Sequence, residues 1–129
     1  MIKKSILIID DDIILLKTAE EILSDLYSVS VAKGGKQGIA LLKKGIIPNL
    51  ILLDIAMPEM DGYQATKLIR QFADKEKANI PIIAMTANAF SEDIRHSLTA
   101  GMNAHISKPV DMKTLEKTIR SIRFDGNMD

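Results

Sequence analysis

The chain has 129 residues, 47% of them hydrophobic, with 17 basic and 17 acidic side chains; this suits one domain with a buried core and leaves no room for a second. The even charge balance gives no support to direct nucleic-acid binding, which needs clustered cations. Cysteine is absent, so disulfides and thiolate metal sites are excluded, and no apolar run reaches the roughly 18 residues of a membrane span.

In chain order, Ser5-Ile6-Leu7-Ile8-Ile9 predicts a first strand that ends in Asp10-Asp11-Asp12. Those acids cut the apolar stretch after Met1-Ile2-Lys3-Lys4 too short for a signal peptide, and the expected location is cytoplasmic. Leu15, Ala19, Ile22, Leu23 and Leu26 recur at helical spacing. Tyr27 to Val31 alternates as a strand, Gly34-Gly35 breaks the chain, and a weaker helix buries Ile39 and Leu42 before stopping near Gly45. Leu50-Ile51-Leu52-Leu53 predicts a buried strand ending at Asp54, followed by a turn over Met57-Pro58-Glu59-Met60-Asp61-Gly62 with Asp61 as N-cap.

Ala65, Leu68, Ile69 and Phe72 line one helical face, and Ala73 to Asn79 reads as a polar loop. Pro81-Ile82-Ile83-Ala84-Met85 predicts a strand ending at Thr86. Ser91 opens a helix with Ile94 and Leu98 inward, which Gly101 terminates. Ala104-His105-Ile106-Ser107 is a last short strand before Lys108-Pro109, whose peptide bond is of the type that can be cis. Asp111 caps a final helix with Met112, Leu115, Ile119 and Ile122 on one face; residues 124–129 read as a tail beyond a core of about 4–123. Five strand–helix units with nearly continuous apolar strands predict a doubly wound α/β fold with a five-stranded parallel sheet.

In such a sheet, functional groups lie beyond the carboxyl ends of the strands, where Asp10, Asp11, Asp54, Thr86 and Lys108 all fall. Magnesium wants oxygen ligands in near-octahedral geometry. Asp11 and Asp54 can supply carboxylates, the backbone carbonyl of Ala56 a third oxygen, and Asp10 can hold a coordinated water. Asp12 is better placed to cap the first helix. A carboxylate oxygen is a recognised nucleophile toward phosphoryl groups, which makes Asp54 the candidate acceptor. The Thr86 hydroxyl and Lys108 ammonium can reach phosphoryl oxygens. Each group has an ordinary reading alone, as turn aspartate, strand-end threonine or solvated lysine; their convergence on one rim is what points to function.

These residues resemble the receiver domains of two-component response regulators. Asp10-Asp11 matches the family's acid pair, Leu53 to Gly62 its phosphoacceptor segment, Thr86-Ala87 its switch hydroxyl segment and Lys108-Pro109 its lysine–proline pair. The resemblance implies the flavodoxin-like strand order 2-1-3-4-5. It further implies magnesium (or manganese) and phosphoryl transfer to Asp54 from a phosphohistidine on a sensor histidine kinase or phosphotransfer domain. Thr86 and Lys108, with Ala87 and Pro109 beside them, then act as a switch. The switch shifts the face built by the helix after Ser91, the last strand and the last helix, where a partner or a second receiver docks. His105 stands where many members carry Tyr or Phe, and Ala56 and Asn88 occupy the two positions that tune phosphoryl lifetime. The segments Met85 to Phe90 and Ala100 to Pro109 look most like those of receivers fused to hybrid sensor kinases, with a stand-alone CheY-like regulator as the alternative.

Three other readings use the same residues differently. A magnesium-dependent phosphatase of the haloacid dehalogenase type also uses Asp, Thr and Lys, but its nucleophile follows the first strand, and Ala56 stands where its general acid would be. A flavodoxin would cradle a phosphate after the first strand, where three acids repel it. A docking-only pseudo-receiver commonly lacks one of the groups present here. The receiver reading makes the chain no enzyme beyond its own phosphorylation and dephosphorylation.

Overall fold

The computed structural model describes residues 3–87 and 94–122, with only the backbone of Ile94. The elements are β1 (Lys4–Ile9), α1 (Ile13–Leu23), β2 (Tyr27–Ala32), α2 (Gly35–Lys43), β3 (Leu50–Asp54), α3 (Gly62–Arg70), α4 (Lys75–Ala78), β4 (Ile82–Thr86), α5 (Ile94–Ala100), β5 (Ala104–Ser107) and α6 (Met112–Ile122). The five strands form one sheet in the order β2-β1-β3-β4-β5, and every pairing is parallel, as expected.

Side-chain alternation divides the apolar strands between two cores. Leu7, Ile9 and Leu53 meet Ile39 and Leu42 of α2 and Ala65 and Ile69 of α3. Ile6, Ile8 and Leu52 meet Leu16, Ala19 and Leu23 of α1 and Leu115 and Ile119 of α6. Burying each such Leu or Ile contributes about 1.5–3 kcal/mol, so β3 and β4, buried at every position, are the most strongly held strands. The register levels their carboxyl ends: Ile9 lies opposite Leu53, Asp54 opposite Met85, and Thr86 opposite Ser107.

The expected caps form. Asp12 accepts from Ile14 and Leu15 backbone N–H groups, Asp61 and Gln64 make a reciprocal capping box, Asp111 accepts from Thr114 N–H, and Gly101 takes a φ of 107° after α5. Four expectations need correction. In α1 the inward face is Leu16–Ala19–Leu23, while Ile22 and Leu26 are exposed, because the helix ends at Leu23 and its periodicity cannot be carried to Leu26. In α3, Leu68 is 41% exposed, because the helix is turned to bury Thr66, whose hydroxyl donates to Gly62 O. In α5, Leu98 is exposed while the small Ser97 and Ala100 face inward. Residues 73–79 are not all loop, since Asp74 caps the one-turn α4 by accepting from Glu76 N–H. Ser91 and residues 124–129 lie outside the described residues. No helix among the described residues is long and apolar enough to cross a membrane.

Candidate functional site

At the carboxyl ends of β1 and β3 two acids are drawn inside. Asp10 is fully buried and Asp54 is 3% exposed. Each follows fully buried strand residues, so the backbone, not solvation, decides where its carboxylate goes. The Lys108 ammonium reaches over from beyond β5 and lies 2.9 Å from Asp10 Oδ2 and 3.1 Å from Asp54 Oδ1. The Lys108 backbone N–H donates to Thr86 O at 2.8 Å, and the bond to Pro109 is cis.

Asp10 Oδ1 accepts from Asp12 N–H at 2.9 Å. Asp10 Oδ2 is buried against the Lys108 ammonium, with which it forms an ion pair. Asp11 is exposed, and one carboxylate oxygen from each of Asp10, Asp11 and Asp54 lies within 4.8 Å of the others. One ammonium cannot offset three carboxylates at that spacing. The donor set is oxygen only, which fits a hard divalent cation. Asp12 stands apart as the α1 cap.

The remaining predicted residues fall around this cluster. The Ala56 backbone N–H lies beside the Asp54 carboxylate and favours its charged form. The Thr86 hydroxyl is buried and has no hydrogen-bond partner among the described residues, an arrangement that is normally avoided unless another group completes it. Ala87 follows it and is exposed. His105 is half-buried on β5 opposite Ala84. Asn88 lies outside the described residues.

Charge and burial oppose each other here. Burial, then the nearby Asp10 charge, push the Asp54 pKa up to about 6, against the hydrogen bond and charge of Lys108 and the Ala56 N–H. Burial also works against the Lys108 ammonium, but hydrogen bonds and charge from Asp10 and Asp54 more than offset it and raise its pKa.

Sequence reasoning assigned no role to several residues that shape the site. A Cβ on Gly62 would stand 2.5 Å from Asp54 O, and Gly62 N–H donates to Ile55 O at 2.9 Å; glycine lets the start of α3 close directly on the acid's backbone. A Cβ on Gly38 would stand 2.4 Å from Ile9 Cδ1, so α2 approaches β1 closely just below the acids. Tyr63 stacks on His96 with ring centroids 3.8 Å apart, joining α3 to α5. The glycines inside helical patterns carried a readable signal; the Tyr63–His96 pair, separated along the chain, carried none.

The family model described as "Response regulator receiver domain" matches residues 6–120. Among curated relatives, the chain is 32% identical over 92% of its length to probable histidine kinase 1 of Oryza sativa subsp. indica. It is 35% identical over 88% to sensor histidine kinase RcsC of Escherichia coli. It spans only 15% and 12% of those two proteins. Among solved structures, the receiver domain of a sensor histidine kinase from Pseudomonas aeruginosa, with a magnesium ion coordinated in its active-site cleft, is 32% identical with a TM-score of 0.78, covering 93% of this chain and 97% of that one. Chemotaxis protein CheY4 of Vibrio cholerae is 25% identical with a TM-score of 0.84, covering 94% and 99%. The acid-lined rim of this sheet and the match along nearly all of its elements have one meaning: the chain belongs to the response regulator receiver domains of two-component signalling.

Proposed function

We propose that this receiver accepts a phosphoryl group on a carboxylate oxygen of Asp54, from a phosphohistidine on a sensor histidine kinase or phosphotransfer domain. The supporting observation is the seating of the Asp54 carboxylate 3.1 Å from the Lys108 ammonium, in the same oxygen cluster as Asp10 and Asp11. The Asp54 oxygen attacks phosphorus; the P–N bond breaks, its electron pair returns to the imidazole, and an acyl phosphate remains on Asp54. Lys108 orients Asp54 beforehand and pairs with a phosphoryl oxygen afterwards. Thr86, with its unpartnered hydroxyl, donates to another.

Asp11, Asp54 and the Ala56 carbonyl would hold magnesium (or manganese), with Asp10 reaching it through a water. When bound, the ion supplies positive charge against the incoming phosphoryl oxygens. Ala87 and Pro109 carry the movement of Thr86 and Lys108 into the α5–β5–α6 face, past His105, and Ala56 and Asn88 set access of the hydrolytic water. That face docks the output partner or a second copy.

Intact mass after incubation with magnesium and a small phosphodonor tests this. One added phosphoryl group is expected, absent without magnesium and absent in Asp54→Asn. The same adduct on Asp54→Asn would overturn the assignment, and no adduct, with binding of beryllofluoride also absent, would leave a docking-only domain.

A further inference from the structure

The chain is neutral as a whole, but its charge is segregated. Residues 26–53 hold Lys33, Lys36, Lys43 and Lys44 and no acid, and all four lysines are exposed. Beside this basic segment, α2 and α3 leave between them an open cleft of about 360 Å³, lined by Lys36, Met60, Gln64, Lys67 and Leu68 with Glu59 as its one acid. A smaller hollow of about 120 Å³ continues it from Met60 to the Lys33–Gly34–Gly35 loop. Leu68 is the apolar residue of α3 that the core does not use, 41% exposed. Met60 has its place because position 35 is glycine: a Cβ there would stand 2.8 Å from Met60 Sδ. Neither Lys36 nor Lys67 has an ion-pair partner among the described residues.

An exposed leucine and an adaptable methionine, flanked by unpaired ammonium groups on both helices, make a surface for an amphipathic helix with carboxylates along its edges. We propose that the α2–α3 cleft docks an acidic amphipathic helix of a partner protein, with apolar side chains on Met60 and Leu68 and carboxylates at Lys36 and Lys67. Charge complementarity selects that occupant. The cleft shares Met60 with the 55–62 loop that closes on Asp54 through Gly62 N–H and Ile55 O, so an occupied cleft touches the segment that positions the acid.

The test is a titration of the 15N-labelled chain with a synthetic acidic amphipathic helical peptide, leucines along one face and glutamates on the rest. The control peptide replaces its glutamates by lysines. Expected are shifts confined to residues of α2, α3 and the 55–62 loop, and none with the control. Affinity should fall about tenfold or more in Lys36→Glu/Lys67→Glu, and several-fold in Leu68→Gln. These positions are solvent-exposed, so the fold should hold, and the unperturbed spectrum of each variant checks this. Asp54→Asn should still bind, which separates this proposal from the phosphoacceptor assignment. Three results would overturn it: no binding, shifts mapping to another face, or peptide-free, concentration-dependent broadening of the cleft resonances, which would make the occupant a second copy.

Discussion

At Asp54, burial and charge set the conditions under which the residue can react. Its pKa is pushed up to about 6, first by burial and then by Asp10, so in metal-free solution the folded chain binds this proton more tightly than the unfolded chain does. The part of the stability that Asp54 contributes therefore falls as pH rises from 3.8 to about 6 and levels off above that range. Asp54→Asn should be more stable than the parent above about pH 6, with the difference shrinking toward pH 4; urea denaturation in EDTA across that range measures it, and a constant difference would contradict the sign. Gly62 is the second sensitive position. Gly62→Ala drives a methyl group into the Asp54 carbonyl, 2.5 Å away, so the loop must shift. A stability loss of about 1–3 kcal/mol should accompany slower phosphorylation; thermal denaturation and the mass assay report both.

Among the elements, the end of the sheet opposite the acids depends on one side chain. Arg70, at the end of α3, donates to Gly101 O after α5, to Ala78 O in α4, to Ile80 O ahead of β4, and to Asn103 Oδ1 ahead of β5. Arg70→Met removes the donor from the Gly101, Ala78 and Ile80 carbonyls, while Asn103 Oδ1 keeps Ile82 N–H, and should lose roughly 2–4 kcal/mol in urea denaturation. Arg70→Lys should recover only part of that, because one ammonium cannot copy a planar fork of donors. This knot also shows what could be read from sequence. Strand positions and the rim acids were legible, because buried parallel strands are written as unbroken apolar runs and Asp at their ends breaks that pattern. Caps such as Asp61 and Asp111 were legible because they act within three residues. The outward turn of Leu68 and Leu98 was not, since the few apolar residues read on each short helix do not say which of two adjacent stripes meets the core. Nothing in the sequence singles out Arg70, because its partners lie up to 33 residues away and become neighbours only once β4 and β5 pair.

For the molecule as a whole, the acid cluster links elements that contribute little to one another's local stability. Its oxygens come from the ends of β1 and β3, and Lys108 ties them to the end of β5. A cation held there favours the state in which all three ends are in register, so its binding should appear as cooperative stabilisation of the entire domain. For a single site the gain follows the logarithm of ion concentration over Kd, about 1.4 kcal/mol for each tenfold step above Kd. Asp11 is exposed and outside both cores, so Asp11→Ala should leave the metal-free unfolding midpoint close to the parent's. The parent's midpoint should climb with added magnesium and return on chelation, while that of Asp11→Ala should stay nearly flat. Because the two proteins start from similar metal-free stability, a difference in slope isolates the carboxylate's part in binding. A midpoint in Asp11→Ala that climbs with magnesium as steeply as the parent's would move the ligand role from Asp11 to the other acids of the rim.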